Sequence, residues 1–415
     1  MYQKTVLDNG LRIVTETIPH VRSVTIGFWF HTGSRDETLE NNGISHFIEH
    51  VMFKGTKTRT ARQIAETMDA TGGQMNAFTG KESTCYYARV QDKHLSTAVE
   101  LLADMFLNST FRQEELAKEK SVILEEIKMY EDSPEELAHD LFVGAVLKNH
   151  PLSLPIMGTG ANIARMGLED IREYMGIQYV PGNLVVAAAG NIEHDQVVAE
   201  MEKHFGHLQG AKPPKRVFEG ATPERLVFRR KDTEQIHLCL GTKGVDRSHP
   251  DKFALYLLDV ILGGGMSSRL FQELREERGL VYSAYSFHSC FQDTGIFGVY
   301  AGTGPDNVEE VLKVIYEQLE LMGQSGPTAQ ELHRAKEQLK GGLLLSLEST
   351  TNRMSRIAKS ELYYQEILTP DDLIARIDGV STEDICRVAQ GLLRPEEFSL
   401  VAIGPTDDAL LERAG

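Results

Sequence analysis

The strongest constraint on this 415-residue chain is that one pattern is written in it twice. Asp170-Ile171-Arg172-Glu173 leads through Pro181 into Leu184-Val185-Val186-Ala187-Ala188-Ala189-Gly190. Asp384-Ile385-Cys386-Arg387 leads through Pro395 into Phe398-Ser399-Leu400-Val401-Ala402-Ile403-Gly404. A constant offset of 214 relates the two, so each half ends in a helix, a turn, a strand and a glycine. The same offset lays Ser23-Val24-Thr25-Ile26-Gly27 on His237-Leu238-Cys239-Leu240-Gly241, and Ile13-Val14 on Val227-Phe228. Matches at both ends of a unit with one offset mark an internal duplication. The expected domains are residues 1–209 and 226–415, joined by a Pro-rich, basic linker over 210–225 that includes Lys212-Pro213-Pro214-Lys215.

Each half opens on strands. Asp8-Asn9-Gly10 between Val6-Leu7 and Leu11-Arg12-Ile13-Val14 is a hairpin signal. Strand-like Val21 to His31 precedes a helical run from Gly43 to Phe53, and strand-like Gln74 to Gln91 follows a further helix. Strands and helices grouped in this way, without regular alternation, predict an α+β fold with mainly antiparallel sheet covered by helices.

Composition excludes several function classes. A net charge of −17 argues against nucleic acid, which needs a basic surface. No apolar run approaches the roughly 20 residues that span a bilayer. The N-terminus carries no leader signal, so a cytoplasmic, non-membrane protein is expected. Cys85, Cys239, Cys290 and Cys386 are scattered without a CxxC pair, which argues against disulfides or a thiolate metal site. Gly263-Gly264-Gly265 is not followed by Lys-Ser/Thr and is no phosphate loop.

The chemistry is concentrated in His46-Phe47-Ile48-Glu49-His50. On a helix the two histidines lie about 40° apart, and Glu49 falls about 60° to the other side of His46. Neutral imidazoles so placed can both reach one Zn²⁺ at roughly 2.0–2.1 Å. Glu49 then stands beside the metal, suited to take a proton from the attacking water and pass it to the leaving amine. Phe47, Ile48, Val51, Met52 and Phe53 surround these polar groups, whose desolvation a metal would offset.

A catalytic zinc usually has a third protein ligand. Thr110 to Asp132 offers candidates: Thr110 and Gln113 stand at capping-box spacing, and Leu116, Ile123, Ile127 and Tyr130 form an apolar stripe. Glu119 and Glu126 point nearly the same way at the stripe's edge, while Glu125 falls on the far side. Alone, such charges read as a solvated helix face; beside the histidine motif they read as metal-site carboxylates.

These residues resemble the pitrilysin and mitochondrial-processing-peptidase family of inverted-motif zinc peptidases, in its half-length bacterial form. The resemblance continues through Phe53-Lys54-Gly55-Thr56, Asn76-Ala77-Phe78-Thr79, Glu82 to Tyr87 and Glu119 to Glu126. It implies His46, His50 and Glu126 as ligands, Glu49 as general base, and Glu119 as an outer carboxylate that supports activity. It also implies that Asn76, Ala77 and Phe78 form a sheet edge where substrate is added as a strand. Arg275 and Tyr282, which follow Gly264-Gly265-Met266-Ser267-Ser268-Arg269-Leu270-Phe271, match residues that reach from the non-metal domain towards the scissile carbonyl. Further implications are a clamshell arrangement of the two halves, a homodimer, and unfolded peptides or precursor proteins as substrates. A non-catalytic scaffold subunit of a processing complex is the alternative, disfavoured because such members lose ligands this chain keeps; a peptide-binding module with a structural zinc is the third reading. Ligand types alone also admit manganese or cobalt.

The repeat limits the metal count. The 214 offset places Val260, Gly263 and Gly264 opposite His46, Glu49 and His50, and a small gap places Leu344 opposite Glu126. One zinc per chain is expected.

Overall fold

The computed structural model describes residues 2–214, 218 and 220–405. The expected linker over 210–225 therefore lies partly outside the described residues. Two compact units are present. One draws on the segments Met1–Lys128, Leu154–Phe218 and Leu345–Leu368, the other on Met129–Ser153, Glu219–Leu344 and Thr369–Gly415.

The first unit holds strands β1 (Tyr2–Val6), β2 (Arg12–Thr17), β3 (Ser23–Phe30), β4 (Gln74–Thr79), β5 (Thr84–Gln91) and β6 (Leu184–Gly190). The second holds β7 (Leu226–Arg230), β8 (Ile236–Gly244), β9 (Val281–Cys290), β10 (Gly295–Thr303) and β11 (Ser399–Gly404). Sheet order is β1-β2-β6-β3-β5-β4 in the first and β7-β11-β8-β10-β9 in the second. Apart from the extra edge strand β1, one topology is used twice, with a single parallel pair in each sheet, β2 with β6 and β7 with β11. The α+β reading and the duplication are thus present in three dimensions. The Asp8-Asn9-Gly10 turn closes β1 on β2 with Val6 opposite Arg12.

Two details depart from what the sequence predicts. Ile13 faces the main helix-covered core of its unit, whereas Val227 packs on the opposite side of its sheet and Leu226 and Phe228 face the main core. The copies are therefore out of step by one residue at β2 and β7, because a one-residue slip turns every side chain to the other face. The capping box expected at Thr110 and Gln113 does not form. The helix runs Gln113–Asp132, Phe111 before it has φ +45°, and the Thr110 amide instead bonds the Gly55 carbonyl at 3.2 Å.

The units also depart from chain order. β6 and β11 are buried along their whole length, so both faces of each sheet centre need cover. Helices local to each half cover one face. The other is covered by a helix from the opposite half of the chain. Helix Pro134–Val146 sets Leu137, Phe142 and Val146 against Cys239, Ile296, Tyr300 and Val401 of the second sheet. Helix Thr350–Tyr363 sets Met354, Ile357 and Leu362 against Val14, Trp29, Cys85 and Val185 of the first. A polar clasp adds direction to the second contact: Trp29 Nε1 donates to Met354 Sδ at 3.1 Å, and Lys4 and Arg12 pair with buried Glu361 at 2.8 and 3.4 Å. Truncating Met354 to Ala would cost about 2–5 kcal/mol for the cavity alone. Among the described residues no helix is long and apolar enough to cross a membrane.

Candidate metal centre

The motif sits on helix Ile44–Met52, the motif helix, whose Ile44, Phe47, Ile48, Val51 and Met52 are buried in the first unit's core. That apolar face fixes the helix rotation and turns His46, Glu49 and His50 to the remaining side. The helix Gln113–Asp132, the carboxylate helix, buries Leu116, Glu119 and Ile123 and half-exposes Glu126. Glu125 is 70% exposed and bonds Lys128 at 2.7 Å, on the solvent side.

His46, His50 and Glu126 converge, with one donor atom from each lying within 4.8 Å of the others. Glu126 Oε2 is 3.4 Å from His50 Nε2 and 3.8 Å from His46 Nε2. Bonds of about 2.0–2.1 Å at a tetrahedral angle place ligand atoms about 3.3 Å apart, so the observed spacing admits a cation at the centre with little movement. Glu126 Oε2 is buried and has no hydrogen-bond partner, which is costly for a carboxylate oxygen unless a cation meets it. Burial, with His50 beside it, lowers the His46 pKa to about 4, keeping the neutral imidazole that a metal needs. The donor set of two imidazoles and a carboxylate fits zinc with a fourth position open.

Behind the donors stands a second row. Lys54 Nζ pairs with Glu119 Oε1 at 2.8 Å, and Glu119 Oε2 meets His50 Nδ1 at 3.2 Å. A carboxylate paired with an ammonium accepts, so His50 Nδ1 carries the proton and its Nε2 lone pair points at the centre. His46 Nδ1 is buried without such a partner. Glu49 is held from a different element: Thr79 Oγ1, on β4, donates to Glu49 Oε2 at 2.5 Å. Burial raises the Glu49 pKa above the ordinary carboxylate value. The Thr79 bond and His50 oppose that rise, and Glu126 adds to it.

β4 is the outermost strand of its sheet and pairs with β5 alone among the described strands. The Asn76 side chain accepts from the Ala77 amide at 2.8 Å. Phe78 lies on the face opposite Thr79, edge-on to Trp29 at 5.2 Å, and is 38% exposed. In the second unit Arg275 comes from the π-helical turn Phe271–Glu277 and Tyr282 from β9. The guanidinium lies 5.2 Å from the Tyr282 ring centroid and 5.0 Å from that of Phe271, and Tyr282 is 75% exposed.

Comparison with known proteins assigns the family. Residues 12–160 match the family described as Insulinase (Peptidase family M16), and residues 165–339 match the Peptidase M16 inactive domain. The chain is 46% identical to an "Uncharacterized zinc protease YmxG" of Bacillus subtilis (strain 168), over 98% of this chain and 99% of that one. This chain belongs to peptidase family M16. A zinc protease of Streptomyces coelicolor is 44% identical over 99% of this M16 chain and 91% of its own. Among solved structures, a protease from Helicobacter pylori superimposes with TM-score 0.89 at 25% identity, covering 97% of this chain and 99% of that one. A peptidase M16 inactive domain from Pseudomonas fluorescens shares the fold, with TM-score 0.91 at 22% identity, over 98% of each chain. The M16 assignment makes this chain a member of a zinc peptidase family.

Two residues of this M16 site were not singled out by pattern. Lys54 lies four positions after His50, beyond the helix end, where periodicity carries no orientation. Thr79 lies two positions after Ala77 on the same face of β4, but its pairing with Glu49 depends on how far the motif helix stands from that strand.

Proposed function

We propose that this chain is a zinc metalloendopeptidase that binds one zinc per chain and hydrolyses peptide bonds of unfolded peptides or precursor proteins. The observation that carries this reading is the convergence of His46 Nε2, His50 Nε2 and an unpartnered Glu126 oxygen, with the Glu49 carboxylate near enough to feel His50 and Glu126. When bound, zinc supplies Lewis acidity, polarising the scissile carbonyl and acidifying a water to near neutral pH.

The chain's own residues do the rest. Substrate backbone adds to β4 as a further strand, with Asn76 releasing the Ala77 amide to the incoming carbonyl and Phe78 meeting an alternate side chain. Glu49 accepts a proton from the attacking water as its oxygen bonds to the carbonyl carbon. It then delivers that proton to the amide nitrogen as the C–N bond breaks. Thr79 fixes the carboxylate rotamer, and Glu119 with Lys54 fixes the His50 tautomer. Arg275 and Tyr282 are assigned as donors to the oxygen on which charge develops, a role that rests on the family resemblance and on their mutual stacking. A cytoplasmic homodimer completes the proposal.

The test is cleavage of a quenched fluorescent peptide library, with products identified by mass spectrometry. Turnover is expected from the untreated protein, to be abolished by a strong chelator and restored by added zinc. Cleavage that survives complete metal removal contradicts the proposal.

A further inference from the structure

The motif helix starts at Gly43, which has φ +99° and no side chain with which to cap it. The first-turn amides need acceptors from elsewhere. Glu37, 2% exposed, provides them. Its Oε2 accepts from the Gly43 amide at 2.7 Å and from Asn42 Nδ2 at 2.8 Å, and its Oε1 accepts from the Ser45 amide at 2.9 Å. All three donors converge on one carboxylate, and among the described residues no Lys or Arg pairs with it. Burial without a cation raises the Glu37 pKa, and the Gly43 and Ser45 amides, with the Ser45 and Asn42 side chains, oppose that rise.

Neighbours lock the same turn from other directions. Ser45 Oγ meets the Tyr174 hydroxyl at 2.9 Å, which meets Thr32 Oγ1 at 2.9 Å. Asn42 Nδ2 also donates to the Pro155 carbonyl at 2.8 Å. His46 is the residue that follows Ser45, and Glu49 lies one helical turn beyond it. A rotation or tilt of this first turn therefore moves both, and displacements near 1 Å at such a centre cost about 10²-fold in rate.

We infer that Glu37 is a positioning residue of the metal centre: its carboxylate, bonded to the Gly43 and Ser45 amides, sets the rotation of the motif helix and with it the aim of His46 and Glu49. This rests on the metal-site reading above. Glu37 touches neither metal nor substrate and acts through the backbone alone. A glutamine there offers one acceptor and one donor, and its NH₂ group faces an amide N–H, so the two-point hold is lost with almost no change in volume.

The experiment compares Glu37→Gln and Glu37→Asp with Glu361→Gln, which removes a buried carboxylate in the same unit away from the motif helix. Zinc affinity is measured by chelator competition, and ligand geometry by the visible bands of the cobalt(II)-substituted protein. Glu37→Gln is expected to weaken zinc binding about 10–100-fold, the range typical of residues that orient ligands, and to shift the cobalt bands. Glu37→Asp should fall between it and wild type. Glu361→Gln should lower Tm while leaving affinity and bands unchanged. Wild-type affinity and wild-type bands in Glu37→Gln, with only a Tm loss like that of Glu361→Gln, overturn the inference. Should Glu37→Gln fail to fold, Asn42→Ala removes one of the three donors; a smaller weakening supports the inference and wild-type affinity overturns it. If the wild-type protein holds no zinc, the metal-site reading fails first, and the two failures are thereby distinct.

Discussion

The motif helix and helix Lys252–Gly263 occupy corresponding places in two copies of one fold, yet only the first carries chemistry. The difference lies in the side chains each carries and in how closely each approaches the outer strand of its sheet. In the first unit β4 stands off far enough for the Glu49 side chain to fit between and reach Thr79. The 214 offset does not carry through these helices, which begin at Ile44 and Lys252; Gly263 lies in the last turn of the second, where an added Cβ would meet the Ser286 amide nitrogen of β9 at 1.9 Å. No side chain fits there at all. Helix Lys252–Gly263 buries Ala254, Leu257 and Leu258 and carries no histidine or glutamate along its length. The fold is thus indifferent to function, and the side chains carried by the helix decide which copy can hold a base beside a metal.

The largest expected effect breaks the chemistry while leaving both helices in place. Glu49→Gln should retain one zinc and lose about 10²–10⁴-fold in turnover, measured as kcat on a cleaved peptide. Retained turnover removes the base assignment. Next come the two neighbouring carboxylates of the carboxylate helix. Glu126→Gln should weaken zinc binding by at least about 100-fold, since even outer partners cost 10–100-fold. Glu125→Gln should change it by no more than about 2-fold, because an exposed ion pair is worth little. Equal effects would mean that the carboxylate helix is rotated from the position described.

In the second unit the corresponding experiment acts on stability. Gly263→Ala should cost about 1–3 kcal/mol by overpacking, read as a lower Tm, and leave zinc affinity unchanged. A neutral result would show that β9 can move away from the helix.

The smallest effect contrasts two carboxyls that shift in opposite directions. Burial raises Glu49, whereas the Arg269 bonds at 2.7 and 2.9 Å pull the Glu331 carboxyl down to about 2. A lowered folded-state pKa means that Glu331 stabilises its unit fully above pH 4.5, and that this contribution is lost as pH falls from 4.5 towards 2. Urea midpoints for Glu331→Gln should therefore lie below wild type at pH 7 by an amount worth about 1 kcal/mol, with the gap narrowing as pH falls from 4.5 and closing towards pH 2. A gap that stays the same size from pH 7 to pH 2 assigns the loss to packing.

Much of this was legible in the sequence because it is local. The Asp8-Asn9-Gly10 turn, the 3.6-residue phase that puts Glu119 inward and Glu125 outward, and the His46–His50 spacing all follow from single elements. The exchange of helices Pro134–Val146 and Thr350–Tyr363 was not legible. Periodicity shows that a helix has an apolar face, but not which of two similar sheets it covers. The one-residue slip between β2 and β7 escaped for a related reason, since Ile13-Val14 can be laid on Leu226-Val227 or on Val227-Phe228 with apolar residues matched in either register. Lys54, Thr79 and Glu37 act across elements distant in sequence, and only the folded chain brings them to the site.

The claim that supports all of this is that His46, His50 and Glu126 hold one divalent ion. Native mass spectrometry after exhaustive dialysis tests it directly, comparing wild type with the His46→Ala/His50→Ala double variant. One zinc per wild-type chain and none in the variant is the predicted outcome. A wild-type chain without metal, or a double variant that keeps a full equivalent, contradicts it.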